Sequence, residues 1–133
     1  MSEAEAFTAF MDLADSYATQ LFGYIGLLSG FLIMSYFAAG KLPATLVAIV
    51  LALFSIVSAA MVFRMNLIRN NMNALLSYVV DQKASGNYDL PWFPLSGGAG
   101  PMVSYLEFAA IAGGFIGCFV FFFYQRNTAG NDP

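Results

Sequence analysis

The chain has 133 residues, 59% of them apolar and only 10% charged, where an ordinary soluble domain has about 45–50% and about 25%. That composition excludes a free-standing soluble protein, which would expose large apolar patches. The net charge of −3 without a basic cluster excludes a nucleic-acid partner, because affinity for phosphate backbones comes mostly from Lys and Arg.

Histidine is absent, so imidazole-based catalysis and metal binding are excluded too. The single cysteine, Cys118, has no internal disulfide partner and is expected to behave as a small apolar residue. Three apolar stretches dominate: Leu21–Gly40, Leu42–Phe63 and Met102–Tyr124. Each is close to the ~20 residues that cross a hydrocarbon core about 30 Å thick. The only acid inside them is Glu107. The expected fold is an all-α integral membrane protein with three transmembrane helices, forming a single membrane domain over 1–133.

The first helix is expected over about 3–39. Ser2-Glu3-Ala4-Glu5 fits the S-x-x-E capping box, and acids in a first turn suit the helix dipole. Phe7, Phe10, Met11, Ala14, Tyr17 and Ala18 recur at spacings of three and four, which marks an apolar helical face. The acidic N-terminus lacks the basic region of a secretory leader, so the first span is expected to be retained. Gly40-Lys41-Leu42-Pro43 reads as a tight turn, with Gly suited to a helix end and Pro to the next first turn.

The second helix is expected over about 43–84, well beyond its apolar span. Past Phe63, a polar stripe of Arg64, Asn66, Arg69, Asn70, Asn73 and Ser77 opposes Met65, Ile68, Met72, Leu75, Leu76 and Val79. That pattern is an amphipathic helix with no breaker before Gly86.

With three spans, this extension and the N-terminal segment lie on one side of the membrane. One carries Glu3, Glu5, Asp12 and Asp15, and the other Arg64, Arg69 and Lys83. The two are expected to pack as an antiparallel amphipathic stalk, with Asp15 opposite Arg69 and Glu3 opposite Lys83. Exposed pairs of this kind are worth only about 0–1 kcal/mol, so the apolar stripe must supply most of the packing.

Residues 85–100 form the expected loop, in which Trp92 and Phe93 suit an interfacial anchor. The third helix is expected over about 102–124, and Ser104-Tyr105-Leu106-Glu107 repeats the S-x-x-E pattern at its start. Phe121, Phe122, Phe123 and Tyr124 read as lipid-facing bulk ending in an interfacial tyrosine. Lys41 and Arg126 flank the spans on one side, and Arg64 and Arg69 on the other. These counts leave orientation open. The expected location is the plasma (inner) membrane.

Glu107 has two readings: an acid at a functional site, such as the charge ring of a cation pore, or a helix cap. Small residues four apart form three stripes: Gly26 and Gly30; Ala44, Ala48 and Ala52; and Ala109, Gly113 and Gly117. Such stripes let helix backbones approach closely in lipid. They serve either packing within the bundle or oligomerisation, and three stripes exceed the inward faces three helices need. Asn66, Asn70, Asn71 and Asn73 fit a solvated helix face.

Phosphate loops, nucleophile elbows and zinc motifs are absent from the sequence, and no cofactor or metal is expected. In size and span number the chain resembles the small phage-encoded holins. It departs from them in its long amphipathic extension and nearly uncharged tail, and no residue role is carried over. The function expected is non-enzymatic: a self-associating membrane protein, or an accessory subunit of a larger membrane complex. The alternative is a homo-oligomeric pore lined by Thr45, Ser55, Ser58, Ser104 and Glu107.

Overall fold

The computed structural model describes residues 1–89 and 100–130, with the backbone alone for 100–103. Trp92 and Phe93 lie outside the described residues. Three helices make up the fold: α1 (Glu3–Ala38), α2 (Ala44–Ala84) and α3 (Gly100–Ala129). All three are long and apolar enough to cross a membrane.

At 1.5 Å per residue, α1 with 36 residues and α2 with 41 are about 54 Å and 62 Å long. Both exceed a hydrocarbon core of about 30 Å by a wide margin. Large apolar side chains cover the outside: Phe22, Phe37, Phe63 and Phe108 are 66–72% exposed. An outer surface of this kind matches lipid and not water.

The helix ends follow local chemistry. The Ser2 backbone N–H donates to Glu5 Oε2 at 2.7 Å, and the Glu5 N–H donates to Ser2 Oγ at 3.2 Å, completing the capping box. At the far end of α2, Gly86 takes φ +76°, a conformation that favours glycine. Its N–H donates to the Lys83 carbonyl, and the Asn87 N–H donates to that of Gln82. That pair of bonds is a Schellman cap.

The α1–α2 turn is built differently from expectation. Gly40 has no positive φ; a Cβ there would strike the Cβ of Ala129, so glycine serves a close approach to α3. Pro43 stands just before the helix as its N-cap, not inside the first turn.

α1 is the central helix and its backbone packs closely against both others, while α2 and α3 meet through long side chains, at Phe54–Phe115, Phe54–Phe119 and Arg69–Glu107. Rising numbers on α1 meet falling numbers on α2. Ala6 shares a cluster with Val79, Tyr17 bonds Arg69, Gly23 lies against Met61, and Phe31 stacks on Phe54. Tyr17, Tyr24 and Phe31 recur every seven residues, as do Val47 and Phe54, then Ser58 and Met65. A seven-residue repeat keeps one seam facing a partner helix.

The main core is aromatic. Phe31, Phe54, Phe122, Cys118, Val47 and Ala39 are buried together. The Phe31 and Phe54 ring centroids lie 3.9 Å apart, and Phe54 stacks on Phe115 at 5.5 Å. Each such pair contributes about 0.5–1.5 kcal/mol beyond burial. In lipid this packing matters more than apolar burial itself, because lipid tails are as apolar as the core.

The phenylalanine run therefore divides. Phe122 is fully buried, whereas Phe123 and Tyr124 are exposed, so the lipid-facing expectation fails at Phe122. Its rotation about α3 brings it onto Phe31, at 5.8 Å between centroids.

A second, smaller cluster joins Ala6, Val79, Tyr88 and Leu75. Tyr88 folds back after the α2 cap, and its hydroxyl donates to the Met1 carbonyl at 2.5 Å. Burial and the neighbouring Tyr78 push the Tyr88 phenol above the usual tyrosine range.

Candidate functional site

Three polar side chains, one from each helix, meet near one end of the apolar spans. Arg69 of α2 donates through Nη2 to Glu107 Oε2 of α3 and to the Tyr17 hydroxyl of α1, the latter at 3.0 Å. Its guanidinium carbon lies 5.6 Å from the Tyr17 ring centroid, within cation–π range. The Arg69 and Glu107 side chains keep 31% and 21% exposure.

Glu107 stands well inside α3, which begins at Gly100. The expected capping role is thus replaced by an ion pair between helices. A carboxylate beside an arginine is neutralised in place, the usual solution for charge at a membrane edge.

The expected stalk pairs do not form among the described residues, where the ion pair is Arg69–Glu107. Asp15 is exposed. Residues two apart on a helix point about 200° from one another, so Tyr17 and Asp15 cannot both face Arg69. Glu3 accepts instead from the Asp89 backbone N–H at 3.3 Å, and Lys83 lies on the last turn of α2.

Below the ion pair a cleft runs between α2 and α3. Its outer chamber, about 480 Å³, is lined by Tyr17, Asn66, Arg69, Phe63, Phe108 and neighbours. Its inner chamber, about 250 Å³, is lined by Tyr24, Ser55, Ser58, Ala112 and Phe115 among others. Ala59, Val62, Phe108 and Ile111 border both, so the two chambers adjoin. Tyr24 donates its hydroxyl to the Ile111 carbonyl at 3.0 Å, tying α1 to α3 beside the cleft.

Serines in these helices mostly bond back one turn. Ser29, Ser35, Ser55 and Ser77 donate to the carbonyls of Ile25, Phe31, Leu51 and Asn73. Ser58 is 2% exposed, and its hydroxyl has no hydrogen-bond partner among the described residues.

At the opposite end of the bundle, Arg126 of α3 donates through Nη1 to the Leu42 carbonyl at 3.0 Å and the Ala39 carbonyl at 3.3 Å. It thereby satisfies acceptors at the C-terminus of α1, where a positive charge suits the dipole.

The seven small residues named from sequence face outward. Gly26, Gly30, Ala48, Ala52, Ala109, Gly113 and Gly117 are all exposed. A Cβ added at Gly26, Gly30, Gly113 or Gly117 meets nothing within 4 Å. Close approach inside the bundle belongs to other glycines. A Cβ at Gly23 would lie 3.0 Å from Met61 Cε, and one at Gly114 would lie 2.7 Å from Leu28 Cδ1. Sequence reasoning missed both, along with Arg126 and Tyr88. The seven-residue recurrence of Tyr17, Tyr24 and Phe31 was the available signal for the inner seam.

No known protein family, curated protein or solved structure matches this chain.

Proposed function

We propose that this is a non-enzymatic membrane protein that self-associates, or joins a larger membrane complex as a structural subunit. One observation carries the proposal: the small-residue stripes on all three helices lie on the outer surface with open space over their glycines. Close helix contact through small residues is a main route to association in lipid. Here the internal contacts leave those stripes unused.

The outer halves of α1 and α2 then form an antiparallel stalk beyond the bilayer, supported by the Ala6–Val79–Tyr88 cluster. A pore built around Glu107 is the weaker alternative, since the Glu107 carboxylate is already engaged by Arg69 of its own protomer.

Native mass spectrometry of the gently extracted protein tests the proposal. A homo-oligomer, or a stoichiometric complex with a larger membrane protein, is expected. Replacing Gly30 and Gly117 together with Leu should release monomers whose thermal stability is unchanged. A wild-type protein that is monomeric and without partners overturns it. A closed ring that conducts ions, with selectivity altered by Glu107→Gln, would replace it with the pore.

A further inference from the structure

We propose that the cleft between α2 and α3 is a binding site for one membrane phospholipid. Its headgroup sits at Arg69 and Asn66, and one acyl chain runs inward past Phe108 to Ser58 and Ser55. This inference does not depend on self-association.

The shape of the cleft is the first support. The ion pair joins α2 to α3 at one end, and Phe54 stacked on Phe115 joins them again further in, which leaves the cleft between these two contacts. A gap between them leaves its lining without contact partners, which packed interiors do not tolerate. From Arg69 to Ser55 the cleft is about 21 Å long by helical rise. That exceeds the roughly 15 Å that is half of a hydrocarbon core, so a chain together with part of its headgroup fits. The outer chamber, about 480 Å³, lies within the range of small-molecule sites, about 300–1,000 Å³, and the inner chamber of about 250 Å³ adds to it.

The gradient of polarity is the second support. Tyr17, Asn66 and Arg69 belong to the outer chamber only. Arg69 presents five donors in a rigid fork, of which Nη2 serves Glu107 and Tyr17. The rest of the fork is suited to phosphate oxygens. Asn66 is exposed and lies about 4.5 Å further in along α2. Its amide is placed to donate to an ester carbonyl below the phosphate. Beyond it, Ala59, Val62, Phe108 and Ile111 offer only apolar surface, as an acyl chain requires.

The test uses the full chain in nanodiscs of mixed phosphatidylglycerol and phosphatidylcholine, with native mass spectrometry after gentle release. Wild type should retain one phospholipid per protomer. Ala59→Trp fills the junction of the two chambers and should lower retention by about tenfold or more. Ala60→Trp, on an exposed position outside the cleft lining, should leave it unchanged. Equal retention in both variants overturns the proposal.

A photoreactive benzoylphenylalanine in place of Phe63, an exposed residue of the outer chamber, gives a readout that does not depend on Ala59→Trp folding. Phospholipid adducts well above those from the same replacement at Phe37, an exposed residue outside the cleft lining, are expected, and equal yields at the two positions overturn the proposal. Crosslinking to a second copy of the chain instead overturns the lipid site, and assigns the cleft to the oligomer interface.

Discussion

Arg69 and Glu107, on α2 and α3, form an ion pair that joins the two helices at one end, while Phe54 stacked on Phe115 joins them further along. Tyr17 of α1 receives a second hydrogen bond from the same Nη2 atom, so the level of Arg69 is where all three helices are tied. Removing one member of a fully buried pair costs about 3–5 kcal/mol. With 31% and 21% of the two side chains exposed, Glu107→Gln is expected to cost about 1–3 kcal/mol. Thermal unfolding in detergent measures it. A double-mutant cycle should show coupling of Arg69 with Glu107 and none with Asp15. Coupling to Asp15 of equal size would contradict the observed rotation of α1.

Two neighbouring glycines on α3 should respond oppositely. Gly114→Val drives a branched side chain into Leu28 and is expected to lower protomer stability by about 1–3 kcal/mol. Gly113→Val points into open space and should leave unfolding unchanged while weakening association. Gly40→Ala should be more damaging than Gly114→Ala. Its new methyl meets the Cβ of Ala129, which is fixed to the backbone, whereas Leu28 can turn its side chain aside.

The phenylalanine run offers a sharper contrast. Phe122→Ala removes a fully buried ring from the Phe31 cluster and should cost about 3–5 kcal/mol, the range for core Phe→Ala changes. Phe123→Ala, at a position 45% exposed, should change the unfolding temperature little. Similar losses at both positions would mean that α3 is rotated from its described setting.

Arg126→Ala deletes donors to the Leu42 and Ala39 carbonyls and leaves acceptors at the end of α1 unsatisfied. A loss of about 1–3 kcal/mol follows. Arg126→Lys should recover only part, because a single ammonium does not reproduce the guanidinium fork. Hydrogen exchange at the α1–α2 turn should rise in both variants, more so in Arg126→Ala.

Tyr88 gives a pH-dependent contact at the far tip. Its phenol is raised above the usual range in the folded state, so the neutral form is the one that folding favours. The contact with Met1 is fully present below the unfolded-state value near 10.0 and is lost as pH rises through the higher folded value. Tyrosinate absorbance should contain a late-ionising component that Tyr88→Phe removes. An unchanged titration in Tyr88→Phe would show that the tip is open.

What could be read in the chain beforehand was set by local rules. Apolar runs long enough for a bilayer, the Ser2–Glu5 capping box, the breaker at Gly86 and the turn at Gly40–Pro43 each follow from a few adjacent residues. Together they fix three helices, and the amphipathic run after Phe63 carries α2 to Ala84.

Which face of each helix turns inward was decided only by the tertiary structure. In water, polarity separates the outside of a helix from its inside; in lipid both are apolar, so that signal vanishes within the spans. Nothing in Gly113-Gly114 or Phe122-Phe123 distinguishes the member that meets another helix. The separation of about 100° between adjacent side chains does so, once the packing of Phe31, Phe54 and Phe122 has fixed each helix's rotation. The same packing turned Tyr17 instead of Asp15 toward Arg69, and brought Glu107 to it from 38 residues away.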